Sequence, residues 1–244
     1  MNATQKVALV TGATRGIGTE TVRQLAEQGV LTLLAGRDAG RAEAAARKLK
    51  DEGLPVESIV LDVTSAESIK KAVADVTSRF GRLDILVNNA GIILDTMGKA
   101  PSEQSIQVWR DTFDTNVFAV VEVTQAFLPL LKASPAGRIV NVSSLLGSVT
   151  NHADPKSPVY DFKVPAYNVS KSAVNAWTVQ LAYELRDTAV KVNTIHPGYV
   201  KTDMNAGEGA IEIPEGARTS VELALIGNDG PNGSFSHLGQ ELPW

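Results

Sequence analysis

The sequence predicts an α/β fold, a single doubly wound parallel sheet of about seven strands with helices on both faces. Three observations predict it. Short runs that are apolar from end to end alternate with longer segments of helical period. Strands apolar throughout belong to a sheet buried on both faces, as a parallel sheet under helices is. A glycine-rich turn separates the first such run from the first helical segment, the arrangement of a mononucleotide-binding half. The 244 residues are read as one domain, 1–244, because α/β folds of this length are often single.

The elements follow in order. Lys6–Val10 reads as the first strand. Ile17, Thr21, Val22, Leu25 and Ala26 share one helical face, and Gly29 stops that helix. Val30–Ala35 is the second strand. Asp38–Glu52 is a polar, alanine-rich helix closed by Gly53. Val56–Leu61 is the third strand. Thr64–Glu67, "TSAE", reads as a capping box that opens a helix ending near Gly81. Leu83–Val87 is the fourth strand. Separate helices are expected around Ser102–Thr112 and Asn116–Leu131. Arg138–Val142 is the fifth strand, Ala166–Leu185 a helix, and Val190–Ile195 the sixth strand. A helix around Pro214–Leu225 and a weak seventh strand at Ser234–His237 complete the series. Leu145–Pro165 and Asp203–Ile213 have no period. Both leave the carboxyl ends of strands, the edge where open α/β sheets bind ligands, so both are read as substrate loops.

Composition excludes several classes of function. A net charge of −4 and the absence of any basic run argue against nucleic acid as partner. There is no cysteine, which rules out disulfides, thiolate metal sites and a cysteine nucleophile, and fits a reducing, cytoplasmic setting. His152, His196 and His237 lack metal-ligand spacing, so no metal is expected. The N-terminus lacks a basic segment followed by an apolar run, so no secretory leader is read. No apolar run approaches the roughly 20 residues that span a bilayer.

Gly12, Gly16 and Gly18 lie between the first strand and the first helix. Glycine there lets the backbone turn tightly and approach a pyrophosphate, whose charge sits at a helix N-terminus. About twenty residues on, where an acid would hold the ribose hydroxyl of NAD, the chain reads "LLAGRD". Gly36 and Arg37 occupy the position, and Arg15 stands in the glycine turn. Two arginines point to the 2′-phosphate of NADP, although Asp38 follows immediately.

"VYDFKVPAYNVSK" holds two tyrosine–lysine pairs. Tyr167 and Lys171 are four apart at a helix start, hence on one face. An ammonium beside a phenol favours the phenolate, and a proton donor tuned toward neutrality suits carbonyl reduction. Tyr160 and Lys163 lie between Pro158 and Pro165, which disfavour a continuous helix, so Tyr160 reads as a loop residue.

Thr11-Gly12-x-x-x-Gly16-x-Gly18, Asn88-Asn89-Ala90-Gly91, Asn116, Ser143-Ser144, Tyr167-x-x-x-Lys171 and Pro197-Gly198-x-x-x-Thr202 stand in one order over most of the chain. This resembles the short-chain dehydrogenase/reductase family, and among its members the carbonyl-reductase-like users of NADPH. The resemblance implies that Tyr167 is the acid/base, that Lys171 lowers its pKa and holds the nicotinamide ribose, that Ser144 rather than Ser143 binds the substrate oxygen, and that Asn116 holds a water of the proton relay. It implies cofactor contacts from Gly12, Thr14, Arg15, Gly16, Ile17 and Gly18, from Arg37, from Asp62 and Val63, from Asn89, Ala90 and Gly91, from Tyr167 and Lys171, and from Pro197, Gly198, Val200 and Thr202. The partner is then a small carbonyl compound and the cofactor NADP(H). Tyr199 reads as packing and His196 as a strand-end residue.

The interval from Ser144 to Tyr167 is longer than the family's common spacing and carries Pro155, Pro158 and Pro165. Larger inserts of this kind accompany monomers, so a dimer, a tetramer and a monomer all stay open. A nucleotide-sensing, non-catalytic regulator on the same fold is the alternative function. Such proteins commonly lose the tyrosine or the lysine, and both are present here.

Overall fold

The computed structural model describes residues 5–244. Its sheet contains β1 (Val7–Val10), β2 (Leu31–Gly36), β3 (Val56–Val60), β4 (Ile85–Asn88), β5 (Arg138–Val142), β6 (Lys191–Ile195), β7 (Phe235–His237) and β8 (Gln240–Glu241) in the order β3-β2-β1-β4-β5-β6-β7-β8. All neighbours are parallel except β7 and β8. The strand order reverses between β1 and β4, which opens a crevice at their carboxyl ends. The helices are α1 (Gly16–Glu27), α2 (Ala39–Asp51), α3 (Ala66–Phe80), α4 (Ile106–Phe113), α5 (Ala119–Lys132), α6 (Val149–Ala153), α7 (Pro165–Glu184) and α8 (Ile213–Ala224).

Alternation along each strand sends side chains to two cores. Leu9, Leu33, Leu86, Ile139 and Val192 face α3, α5 and α7, where Ile69, Val76, Val123, Phe127 and Leu181 meet them. Ala8, Val10, Leu34, Ile85, Val87 and Val140 face α1, α2 and α8, against Val22, Leu25, Leu49 and Leu223. The central strands β1, β2 and β4 are buried end to end for this reason and read almost wholly apolar, whereas the edge strand β3 keeps Glu57 and Ser58 half-buried and Val60 exposed. None of the helices among the described residues is long and apolar enough to cross a membrane.

Four expectations are corrected. The sheet has an eighth strand: Leu238 (φ 45°) and Gly239 (φ 77°) make the two-residue turn with positive φ that folds β8 back on β7. The cap of α3 is Ser65, whose hydroxyl accepts from the Ser68 amide, one residue beyond the expected box. Thr64 is held by Asp62 instead, through its amide and its hydroxyl. The two expected helices of residues 102–131 form a 3₁₀ turn at Pro101–Glu103 followed by one run, in which α4 passes into α5 through a π-turn at Asp114–Phe118. The Leu145–Pro165 loop holds a 3₁₀ turn at Leu145–Gly147 and then α6, capped by the Ser148 hydroxyl.

Candidate active site

The carboxyl ends of β1, β4, β5 and β6 open on one edge, and the motif residues follow directly: Thr11–Gly12, Asn89–Gly91, Ser143–Ser144 and His196–Gly198. Gly12 adopts φ 61°, and a β-carbon there would lie 2.8 Å from the Ala90 Cα. Two segments thus interlock. The Thr11 hydroxyl accepts from the Asn89 and Ala90 amides, and the Asn89 side-chain amide donates to the Thr11 and Gly12 carbonyls. Asn89 therefore holds the glycine turn in place. Asn88 steadies the sheet, donating to Thr124 and Asn141.

Tyr167 and Lys171 lie on the first turns of α7, 9% and 4% exposed. The Lys171 ammonium sits 5.6 Å from the Tyr167 ring centroid and donates to the Val142 carbonyl at 2.8 Å. The Ser144 hydroxyl hydrogen-bonds the Tyr167 hydroxyl and accepts from the Leu146 amide. Ser143 instead turns toward α7, where its hydroxyl donates to the Lys171 carbonyl. Of the two serines only Ser144 meets the tyrosine. Gly147 lets the chain pass tight beside this pair, since a β-carbon would lie 2.8 Å from the Lys171 carbonyl carbon.

Asn116 lies inside the π-turn, a distortion frequent at functional sites, and is no helix cap. Its side chain accepts from the Ile92 amide and donates to the Ile92 carbonyl and to Ser170. The side chain expected to hold a water is thus engaged by protein partners.

Electrostatics depart from expectation at the tyrosine. Burial pushes its hydroxyl up to about 12, and the Ser144 hydrogen bond acts in the opposite direction. Burial likewise pushes Lys171 down to about 8. Loss of hydration disfavours each charged form, and here it outweighs the attraction expected from the ammonium.

The cofactor-side residues are arranged as follows. The first turn of α1 has no side-chain cap and no acid, and a β-carbon on Gly16 (φ 59°) would meet only Thr202, at 3.9 Å. That leaves free N–H groups beside open space that Thr202 alone approaches, a cradle that fits a diphosphate; of the other residues expected there, Thr14 packs against Gly36 and Ile17 lies in the first turn of α1. Gly18 serves packing, since a β-carbon would lie 2.5 Å from the Asn89 side chain. The Asp38 carboxylate caps α2 through the Arg41 amide. Among the described residues the Arg37 guanidinium has no hydrogen bond or ion pair. Arg15 is exposed and pairs with Asp203 at 3.0 Å. Val63 is half-buried against the core beside α3.

Beyond β6, Gly198 (φ 94°) lets Ile211 pack against the backbone. Val200 faces α8, where a β-carbon on Gly216 would strike it, so its side chain is spent on packing. The Val200–Ile211 bridge closes the base of the second loop. Tyr199 is exposed, with its hydroxyl on Glu208, and does not pack.

Two contacts were not anticipated in the sequence, one at His196, read only as a strand-end residue, and one at Asp95. His196 accepts the Leu145 amide on Nδ1, fixing the chain just after Ser144, and burial pushes its pKa down to about 3. Asp95 reaches the start of α7 from 71 residues away. Local spacing carries no signal for either.

The sequence model for short chain dehydrogenases matches residues 6–212. The chain is 32% identical to a (+)-neomenthol dehydrogenase of Capsicum annuum over 94% of this chain and 95% of that protein. It is similar to the structure of salutaridine reductase from Papaver somniferum, with a TM-score of 0.83 and 29% identity over 95% of this chain and 99% of the other. It is also similar to the NADPH-bound carbonyl reductase from chicken fatty liver, with a TM-score of 0.85 and 26% identity over 98% and 99% of the two chains.

Proposed function

The chain belongs to the short-chain dehydrogenases, an oxidoreductase family that uses a nicotinamide cofactor, and from that premise we propose that it reduces the carbonyl of a ketone or aldehyde with NADPH, Tyr167 giving the proton. The observation that carries this reading is the buried cluster of Ser144, Tyr167 and Lys171.

A reduced nicotinamide supplies the hydride. The Ser144 and Tyr167 hydroxyls donate to the carbonyl oxygen, orienting it and answering the charge that grows there. With its pKa near 12, Tyr167 carries its proton at neutral pH, the form that reduction consumes. An alkoxide is a stronger base than a phenolate, so the transfer runs downhill. Lys171, near 8, remains largely protonated at neutral pH and favours the phenolate as it forms.

Arg37 and Arg15 support a 2′-phosphate on the adenosine side. Asp38, spent on capping α2, does not oppose it. The likeness to a carbonyl reductase bound to NADPH points the same way. On the substrate side Leu145, Leu146, Val149, Tyr160, Phe162, Met204 and Ile211 suit alkyl or aryl bulk.

The test is a panel of alkyl and aryl ketones and aldehydes with NADPH and NADH, followed by cofactor absorbance. Each charge-assisted contact is worth roughly 1.5–3 kcal/mol, so NADPH is preferred by at least about tenfold, and Arg37→Asp narrows or inverts the preference. Equal kcat/KM for the two cofactors removes the NADPH assignment. Absence of turnover with every carbonyl removes the reductase reading.

A further inference from the structure

Helix α7 begins at Pro165, and its N-cap residue, Val164, offers no side-chain hydrogen bond. The cap comes from elsewhere. Asp95, in the segment that leaves β4, accepts the Ala166 amide on Oδ1 at 2.8 Å and the Tyr167 amide on Oδ2 at 3.0 Å. One carboxylate thus satisfies two of the helix's free N–H groups and sets negative charge against the helix dipole.

Asp95 is itself held from both sides. Upstream, the Asn116 side chain grips the Ile92 amide and carbonyl, each at 2.8 Å. Downstream, the buried Gln104 side chain grips the Thr96 amide at 3.0 Å and its carbonyl at 2.9 Å. The carbonyl end of Tyr167 ties into the same frame: Ser170 donates to it at 2.7 Å and accepts from Asn116 at 3.0 Å. The peptide groups on both sides of Tyr167 are therefore fixed to one braced segment.

We propose that Asp95 is a positioning residue for Tyr167, its carboxylate fixing the first turn of α7 and with it the tyrosine hydroxyl beside Ser144, with Gln104 as its brace. This rests on the reading of Tyr167 as proton donor. Asp95 acts through the backbone and touches no reacting atom. A misplacement of the donor by about 1 Å costs on the order of 10²-fold in rate, so a cap that fixes its backbone is felt in turnover before it is felt in nucleotide binding.

The experiment compares Asp95→Ala, Asp95→Asn and Gln104→Ala with the parent enzyme. Asp95→Ala lowers kcat by roughly 10²-fold, while the Kd for NADPH, read by fluorescence, changes less than about twofold. Asp95→Asn keeps one carbonyl acceptor but turns an N–H₂ toward the second amide, so it recovers part of the loss and remains about tenfold slow. Gln104→Ala falls between Asp95→Asn and the parent. Amide hydrogen exchange reads the proposal apart from activity: the Ala166 and Tyr167 amides exchange at least about tenfold faster in Asp95→Asn. If Asp95→Ala does not fold, Asp95→Asn decides. Unchanged exchange at those amides, unchanged kcat in Asp95→Asn, or parallel losses of kcat and nucleotide affinity each overturn it. Undiminished turnover in Tyr167→Phe overturns the donor reading alone, and the exchange result then still judges Asp95.

Discussion

The chain carries the same two side chains twice, and only one copy is buried. Lys163 lies 4.8 Å from the Tyr160 ring centroid, and Lys171 lies 5.6 Å from that of Tyr167. The closer pair is the more exposed one. Lys163 is exposed, and its ammonium spreads its contacts over the His152 ring and carbonyl. Lys171 is buried, anchored on the Val142 carbonyl, beside a tyrosine whose backbone Asp95 fixes. Proximity is therefore not what distinguishes them. Water screens the first pair, whereas burial drives the second to about 12 and about 8 and raises every electrostatic stake within it.

The strongest way to break the comparison is to remove one hydroxyl from each pair. Tyr167→Phe is expected to lose roughly 10²- to 10⁴-fold in turnover with the fold intact, and Tyr160→Phe to retain most of it. A dead Tyr160→Phe beside an active Tyr167→Phe would reverse the roles.

The lysines sharpen the contrast through pH. Lys171 is lowered from 10.5 to about 8 in the folded chain. Stability tied to its neutral form is present above 10.5 and is lost as pH falls through about 8. The stability of Lys171→Met relative to the parent, measured by denaturant melts without nucleotide, therefore shifts in favour of the variant by roughly 3 kcal/mol between those limits. Tyr167 works from the alkaline side, since a raised pKa means stability present below 10 and lost as pH climbs through about 12. Lys163→Met, an exposed change, stays within about 0.5 kcal/mol. A pH-independent Lys171→Met difference would contradict the burial argument.

Gly147→Ala perturbs the buried pair alone. Its new methyl presses on the Lys171 backbone, with an expected cost of about 1–3 kcal/mol in melts and a fall in kcat. Phe162→Ala, the mildest change, probes the exposed pair's loop. Changed ranking of bulky against small ketones at nearly constant cofactor KM marks that loop as a pocket wall. Unchanged ranking with altered oligomer size assigns it to assembly.

Much of this contrast was legible in the sequence. Tyr160 read as a loop residue because Pro158 and Pro165 flank it, and Tyr167 with Lys171 read as one helical face. Strands apolar end to end gave the parallel sheet. What escaped notice has physical causes. Asp95 and His196 act on backbone groups 71 and 51 residues away in the chain, and Gln104 on Thr96 across an aperiodic segment, where no periodicity reaches. The cap of α3 slipped by one because Thr64 and Ser65 are adjacent residues of cap type, and Asp62 claims the first. The π-turn at Asn116 shifts the phase of the helical period between α4 and α5, so one continuous run read as two helices. The β7–β8 turn uses Leu238 at positive φ, a residue that seldom signals a hairpin. The high pKa of Tyr167 follows from burial, which spacing alone does not report.

The strand order also dictates how the sheet is assembled during synthesis. The first three strands extend from β1 to one side, and the chain then crosses back to lay down β4. From that moment each strand through β7 is added to an edge its predecessor has left open. A growing sheet made of such apolar strands presents an unpaired, adhesive border to its surroundings for much of translation. The antiparallel β8, with Gln240 and Glu241 both exposed, covers that border with two polar residues. Truncations that remove β7 and β8 would leave β6, buried along nearly its whole length, as a template for aggregation, so yield and chaperone demand during expression depend on the terminal hairpin.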